Sequence, residues 1–321
     1  MALYREELLL RLGMIVVLGI DGLGSNVLKA AQHELVAIPK LMARGRYTYH
    51  AYSSMRTMSS INWGNHFFGR GADYHNWILN DARPGAMGAV SVFDAVPKST
   101  GCTRIDWISQ VLPALLWVES DEKVTSCVLD AVQSRDRDLV VGLWDDVDVA
   151  GHKGNFGDQV AALIETDAML DLVLNSTQPE DHILLIADHG QRHCSWYEVA
   201  CVEHYGARME ELQTPFVIAG PKVTAPGHIG RPVTHTDTAW YVTKLLNRSV
   251  PCEWELGSLD ACNNSEWPGL AIDKVVPEEE FRDAISTGVL VVVASLPVLA
   301  ALALMLVLVR RRCSPSSWSK L

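Results

Sequence analysis

Met14-Ile-Val-Val-Leu-Gly-Ile20-Asp21-Gly22-Leu-Gly24 is an unbroken apolar run, rich in β-branched residues, that stops at an acid and a glycine. Continuous rather than alternating hydrophobicity over so short a length suits a strand covered on both faces, as in parallel sheets. Such a strand delivers Asp21 at its C-terminal end. The arrangement recurs in Leu139-Val-Val-Gly-Leu-Trp144 before Asp145, and in Ile183-Leu-Leu-Ile-Ala187 before Asp188-His189-Gly190. Thr214-Pro-Phe-Val-Ile-Ala-Gly220 reads as a fourth strand. Between these runs lie helical patterns: Val160, Leu163, Ile164, Met169, Leu170 and Val173 mark an apolar stripe over Gln159 to Leu174, and a further helix is expected over Asp237 to Leu246. Strands alternating with helices predict an α/β fold, a three-layer sandwich with a mostly parallel central sheet. Open sheets of this kind bind ligands outside the carboxyl ends of their strands, so the strand-end acids are expected to converge on one site.

The 321 residues, 48% hydrophobic, supply a core for one large domain with an appendage. Net charge is −11, and the extreme tail carries Arg310, Arg311, Arg312 and Lys320 without an acid, which leaves 23 basic against 38 acidic residues in the remainder. That balance excludes duplex nucleic acid as a partner of the main body. It also disfavours an anionic substrate unless bound cations offset the charge at the site.

From Ala284 to Val309 there is no charged residue. At about 1.5 Å rise per residue this run can cross a bilayer core of roughly 30 Å, so a transmembrane helix is expected over 284–309. The expected organisation is a catalytic domain over 1–250, a membrane-proximal linker over 251–283, the helix, and a short basic tail over 310–321. Membrane lipid is thereby a partner. The basic residues directly after the helix place that end in the cytosol and the large domain in the lumen or outside the cell. Cys102, Cys127, Cys194, Cys201, Cys252 and Cys262 precede the helix and Cys313 alone follows it, while Asn175, Asn247 and Asn263 head three glycosylation sequons. These features suit an oxidising compartment, a glycoprotein, and two or three disulfides. Met1 to Gly13 contains no apolar segment long enough for a signal peptide. Two expectations remain open: a start upstream of this sequence, or a tail-anchored protein with its domain in the cytosol.

Asp148-Val-Ala-Gly-His152 sets a carboxylate and an imidazole four residues apart, Asp188-His189 is a second such pair, and Asp21 is a third carboxylate. Carboxylate oxygen with imidazole nitrogen, and no cysteine in the pattern, suits zinc in two three-ligand sites that each keep a position open. Two such ions can clamp the attacking and leaving oxygens of an in-line phosphoryl displacement.

Five motifs follow one another in order: Asp21-Gly22, Ser59-Ser-Ile-Asn62-Trp63, Asp148-Val-Ala-Gly151-His152, Asp188-His189-Gly190, and His204-Tyr-Gly-Ala-Arg-Met-Glu210-Glu-Leu-Gln-Thr-Pro215. In this the chain resembles the type I phosphodiesterase/nucleotide pyrophosphatase family of the alkaline phosphatase superfamily, over residues 14 to about 260. The resemblance implies an alkaline phosphatase-like catalytic domain with two Zn2+, other divalent ions remaining open. Asp148, His152 and His204 would hold one ion; Asp21, Asp188 and His189 would hold the other, with Ser59 Oγ on it. Ser59 would be the nucleophile of a covalent phospho-enzyme, later released by water. Asn62 would donate its amide hydrogens to a phosphoryl oxygen, joined by the Ser60 N–H. Thr57 and Ser60 are rival nucleophiles, but Ser59 alone stands three before Asn62. His193 and His235 are rivals to His204, where the family's His-Gly is replaced by His204-Tyr205-Gly206.

Asn at the position of Asn62 is associated with phosphodiesters and pyrophosphates, where the monoesterases use an arginine. Sulfatases of the superfamily need Cys or Ser followed by x-Pro-x-Arg, which Ser59-Ser-Ile-Asn-Trp63 does not supply. A phosphodiester or nucleotide substrate is expected. Trp63, Phe67, Phe68, Tyr74 and Trp77 read as core in preference to base-stacking residues. Two other function classes stay open: a phosphoethanolamine transferase for lipid or glycan acceptors, whose relatives usually carry many more spans, and a non-catalytic surface protein that keeps the fold. The sequence leaves the oligomeric state open.

Overall fold

Strand residues of β1, Ile15–Ile20, alternate between two separate cores, which is why the sequence there is apolar without interruption. Ile15 and Val17 join Leu139, Val141, Leu143, Leu184 and Ile186 on one side of the sheet. Val16, Leu18 and Ile20 join Val140, Ile183 and Leu185 on the other. The computed structural model describes residues 13–80, 89–153, 155–193, 204–223, 225–251 and 254. Within them the remaining strands are β2 Arg46–Tyr52, β3 Ser99–Thr103, β4 Leu115–Trp117, β5 Leu139–Trp144, β6 His182–Ile186, β7 Gln213–Ala219, β8 Gly227–His228 and β9 Val233–Thr234.

Across the sheet the order is β4-β3-β5-β1-β6-β7-β2-β8, and β9 also pairs with β2. Every pairing from β4 to β6 is parallel. The helices Ser25–Ala31, Ala37–Arg44, Asp121–Ser134 and Phe156–Ser176 contribute Val27, Ile38, Val128 and Leu170 to the core on the Val16 side. The helices Ser59–Phe68 and Asp237–Leu245 contribute Trp63, Phe67, Trp240 and Val242 to the core on the Val17 side. The molecule is thus the expected α/β sandwich of three layers. Truncating a fully buried residue such as Leu18 in a sheet covered on both faces costs about 2–5 kcal/mol.

One strand departs from the parallel pattern. The fourth expected strand, β7, runs antiparallel to both β6 and β2. Because it is antiparallel to β6, it starts at the edge of the sheet where β6 ends, and the residues just before it lie among the strand-end acids. The Gly190 N–H donates to the Glu211 carbonyl at 2.8 Å, and the Ser53 N–H to the Leu212 carbonyl at 2.9 Å.

The expected transmembrane helix at 284–309 and the tail at 310–321 lie outside the described residues, as does nearly all of the linker. Among the described residues no helix is long and apolar enough to cross a membrane. Trp254, read from sequence as part of the linker, is buried in the core, and its indole N–H donates to the Val90 carbonyl at 2.8 Å.

A disulfide joins Cys102 on β3 to Cys127 on the helix Asp121–Ser134, with the Cα atoms 6.3 Å apart and the two positions separated by 25 in sequence. A loop of that length is constrained by roughly 3 kcal/mol in the chain-entropy picture. Reduction is therefore expected to lower the melting temperature by several degrees, and the Cys102→Ser, Cys127→Ser double variant should melt at the reduced value and no longer respond to reductant. A second expectation concerns acid. Burial lowers His75 and His182 from 6.5 to about 4, so both are neutral in the fold. A histidine held below its unfolded value stabilises the fold above pH 6.5, and this contribution is lost as pH falls towards 4. Melting temperatures measured from pH 7 to pH 4 should fall across that window, and less steeply in His182→Gln.

Candidate active site

Three neighbouring strands, β5, β1 and β6, end in the acids that the sequence pointed to. Asp21 follows β1, Asp145 and Asp148 follow β5, and Asp188-His189 follows β6. The turn at Gly22 has φ +69°, and its N–H donates to Asp188 Oδ1 at 3.0 Å. A Cβ there would lie 2.8 Å from both Cα and Oδ1 of Asp148, so glycine is required for conformation and for space. Asp148 sits in the short helix Asp146–Gly151, which ends where His152 folds back to bring its Nε2 3.1 Å from Asp148 Oδ2.

Each remaining histidine is oriented from behind. His189 Nδ1 bonds the Gly190 carbonyl at 3.1 Å, and His204 Nδ1 bonds the Thr57 carbonyl at 2.6 Å. A carbonyl can only accept, so both rings carry their proton on Nδ1 and turn the Nε2 lone pair to the acids. His204 Nε2 lies 3.1 Å from His152 Nε2. His189 Nε2 lies 3.2 Å from Asp188 Oδ2 and 3.6 Å from Asp21 Oδ1. The His189 and His204 rings are nearly parallel, 4.1 Å apart. The rivals are placed elsewhere: His235 stacks on His66 at 4.1 Å with its Nε2 3.2 Å from Thr214 Oγ1, and His193 packs edge-on against Phe156.

Of the three hydroxyls considered, Ser59 faces the cluster. Its Oγ donates to His189 Nε2 at 3.2 Å from the first residue of the helix Ser59–Phe68. Thr57 Oγ1 donates instead to Glu211 Oε2 at 3.2 Å, and Ser60 Oγ is buried without a hydrogen-bond partner. The Ser60 N–H donates to Asn80 Oδ1 at 2.9 Å, so here it is engaged within the chain rather than open to a phosphoryl oxygen. Asn62 also differs from expectation. It is fully buried, accepting the Ser54 N–H on Oδ1 at 2.8 Å and donating one amide hydrogen to the Met58 carbonyl at 3.1 Å, so it holds the turn that leads into Ser59. Trp63, Phe67, Phe68 and Trp77 are core, as expected, and the Trp63 indole N–H donates to Asp21 Oδ2 at 2.8 Å.

The electrostatics call for positive charge. Burial first, then Asp188, Asp148 and Asp145, push the Asp21 carboxyl well above the usual carboxylate range. Burial and Asp148 push Asp188 in the same direction, and Asp145 to about 7. Burial lowers His189 and His204 to about 3, which keeps both neutral. Asp21 Oδ1 and Asp188 Oδ2 are buried without receiving a hydrogen bond. Such atoms are costly unless a cation satisfies them. Donor atoms on a tetrahedral ion bound at about 2.0–2.1 Å are separated by roughly 3.3 Å, close to the spacings of 3.1, 3.2 and 3.6 Å found here. Among the described residues, three groups have ligand atoms within 4.8 Å of one another: Asp21, Asp188 and His189; Asp148, His189 and His204; and Asp21, Asp145 and Asp148. The structure therefore holds clusters able to bind divalent metal.

Asp145 is an addition to the residues singled out from sequence, although its place at a strand end was visible there. Gln191 and Gln159 are further additions. Gln191 Nε2 donates to Asp148 Oδ1 and to the Asp148 carbonyl, and Gln159 donates to Gln191 Oε1 at 3.1 Å and to the Gly22 carbonyl at 3.3 Å. Glutamines 32 positions apart leave no local pattern to read.

Comparison with known proteins agrees with this geometry. The family model described as the Metalloenzyme superfamily matches residues 115–227, a span that contains Asp148, His152, Asp188, His189 and His204. Over 70 residues the chain is 34% identical to the 2,3-bisphosphoglycerate-independent phosphoglycerate mutase of Streptomyces coelicolor, covering 22% of this chain and 14% of that protein. The match thus spans about one seventh of that relative's length. Murine ectonucleotide pyrophosphatase/phosphodiesterase 5 superposes with a TM-score of 0.60 at 13% identity, covering 77% of this chain and 99% of that one. An inactive variant of the same murine protein, solved in complex with AMP, gives 0.60 at 11% identity over 78% and 99%. A putative sulfatase from Bacteroides thetaiotaomicron gives 0.58 at 12% identity over 76% and 73%. Residues 115–227 thus match the Metalloenzyme superfamily model, and the fold of the described residues is alkaline phosphatase-like.

Proposed function

We propose that the chain is a phosphodiesterase/nucleotide pyrophosphatase that uses two zinc ions and a covalent phosphoserine on Ser59. The observation that carries this reading is Ser59 Oγ at the N-terminus of a ten-residue helix, 3.2 Å from His189 Nε2 and facing the carboxylate and imidazole cluster. Asp21, Asp188 and His189, with Ser59 Oγ, would hold one ion, and Asp148, His152 and His204 the other. Bound ions supply positive charge against the phosphoryl oxygens and lower the cost of ionising a hydroxyl.

Ser59 Oγ then attacks phosphorus as the bond to the leaving alcohol or phosphate breaks, and water later breaks the Ser59 Oγ–P bond. The helix that begins at Ser59 points the positive end of its dipole at the developing charge. Asn62 fixes the turn that aims Ser59. The AMP complex of the murine fold relative supports a nucleotide as one half of the substrate. The disulfide between Cys102 and Cys127 supports an oxidising compartment, with 284–309 as the membrane anchor.

Zinc-loaded protein should cleave a nitrophenyl ester of a nucleoside monophosphate, lose that activity to chelator and regain it with zinc. Ser59→Ala should lower kcat by on the order of 10³-fold. Asp148→Ala and Asp188→Ala should lose activity together with metal, whereas Thr57→Ala should retain far more than Ser59→Ala. Undiminished turnover by Ser59→Ala would contradict the assignment. Transfer of phosphoethanolamine to a lipid acceptor without hydrolysis of any diester would replace it with the transferase reading.

A further inference from the structure

Glu211 is 3% exposed, and a carboxylate that far from water is costly unless its bonds hold something in place. Its partners are the segments that carry the proposed chemistry. Oε2 accepts the Thr57 hydroxyl at 3.2 Å and the Gly206 N–H at 2.6 Å. Its backbone carbonyl accepts the N–H of Gly190, directly after His189, at 2.8 Å. Thr57 in turn accepts the Tyr205 N–H on Oγ1 at 2.8 Å and the His204 ring on its carbonyl at 2.6 Å.

The backbone of Tyr205 shows what these bonds oppose. Tyr205 has φ +81°, a conformation that a bulky side chain adopts only when its surroundings impose it. The N–H groups of residues 205 and 206 are held by Thr57 Oγ1 and Glu211 Oε2 in succession. A Cβ on Gly206 would lie 2.5 Å from Glu211 Oε2, so the close approach depends on glycine. Freed of these partners, the turn would relax and carry His204 away from His152.

Resting on the reading above, we infer that Glu211 is a positioning residue, locking the turn before Ser59, the strand end at His189 and the strained turn at His204 into one frame. It touches neither the reacting atoms nor the proposed ions. Both side-chain bonds go to a single oxygen, so glutamine can keep them and alanine cannot.

The test uses the full chain with zinc affinity, measured by competition with a chromophoric chelator, alongside kcat, KM and melting temperature. Glu211→Ala is expected to weaken binding of one zinc ion about 10–100-fold and to lower kcat with KM held, while Glu211→Gln stays within about threefold of the wild type. Thr57→Val, which removes both the bond to Glu211 Oε2 and the acceptor of the Tyr205 N–H, should weaken the same ion several-fold even where Glu211→Ala does not fold. A lowered melting temperature with wild-type zinc affinity and kcat would show a merely structural role and overturn the proposal. So would an equal loss in Glu211→Gln and Glu211→Ala. Zinc affinity that depends on Glu211 in a chain that cleaves no diester would overturn the proposed activity and leave this inference standing.

Discussion

Mutual repulsion among carboxylates that a parallel sheet buries side by side governs the rest of the molecule. Because β5, β1 and β6 are adjacent and run the same way, the first residues past their ends must share one edge. Asp148, Asp21 and Asp188 are the acids that occupy it, at 8%, 2% and 0% exposure, too little for water to solvate their charge. Protonation or bound cations can relieve that repulsion. Neutral imidazoles with inward lone pairs, and carboxylate oxygens left without hydrogen bonds, favour cations.

The surroundings follow from that choice. The positive φ at Gly22 lets Asp148 close on Asp21, the Trp63 indole takes one oxygen of Asp21, and Gln191 takes one of Asp148. Each bond fixes one lone pair and leaves the other directed inward. The reversal of β7 matters as much. By starting at the acid edge it brings Glu211 against Gly190 and Thr57, where a parallel strand would have begun at the opposite end of the sheet.

What could be read from sequence and what could not divide along physical lines. Strands buried on both faces announce themselves, so β1, β5 and β6 were legible to within a residue, and the acids after them with their partner histidines came along. The direction of β7 was not legible, because a buried strand looks the same whichever way it runs. The family resemblance directs Asn62 and the Ser60 N–H to substrate. In the fold, Asn62 gives one amide hydrogen to Met58 and Ser60 gives its N–H to Asn80, because the start of a helix must satisfy its own groups. Gln159, Gln191 and Glu211 bond residues far from them in sequence, and no periodicity records such contacts.

The most direct measurement is an anomalous-scattering map collected at the zinc edge on crystals of the zinc-loaded protein. Two peaks are expected, one bounded by Asp21, Asp188 and His189 beside Ser59 Oγ, the other by Asp148, His152 and His204. A single peak, or none within reach of Ser59, would contradict the two-ion centre.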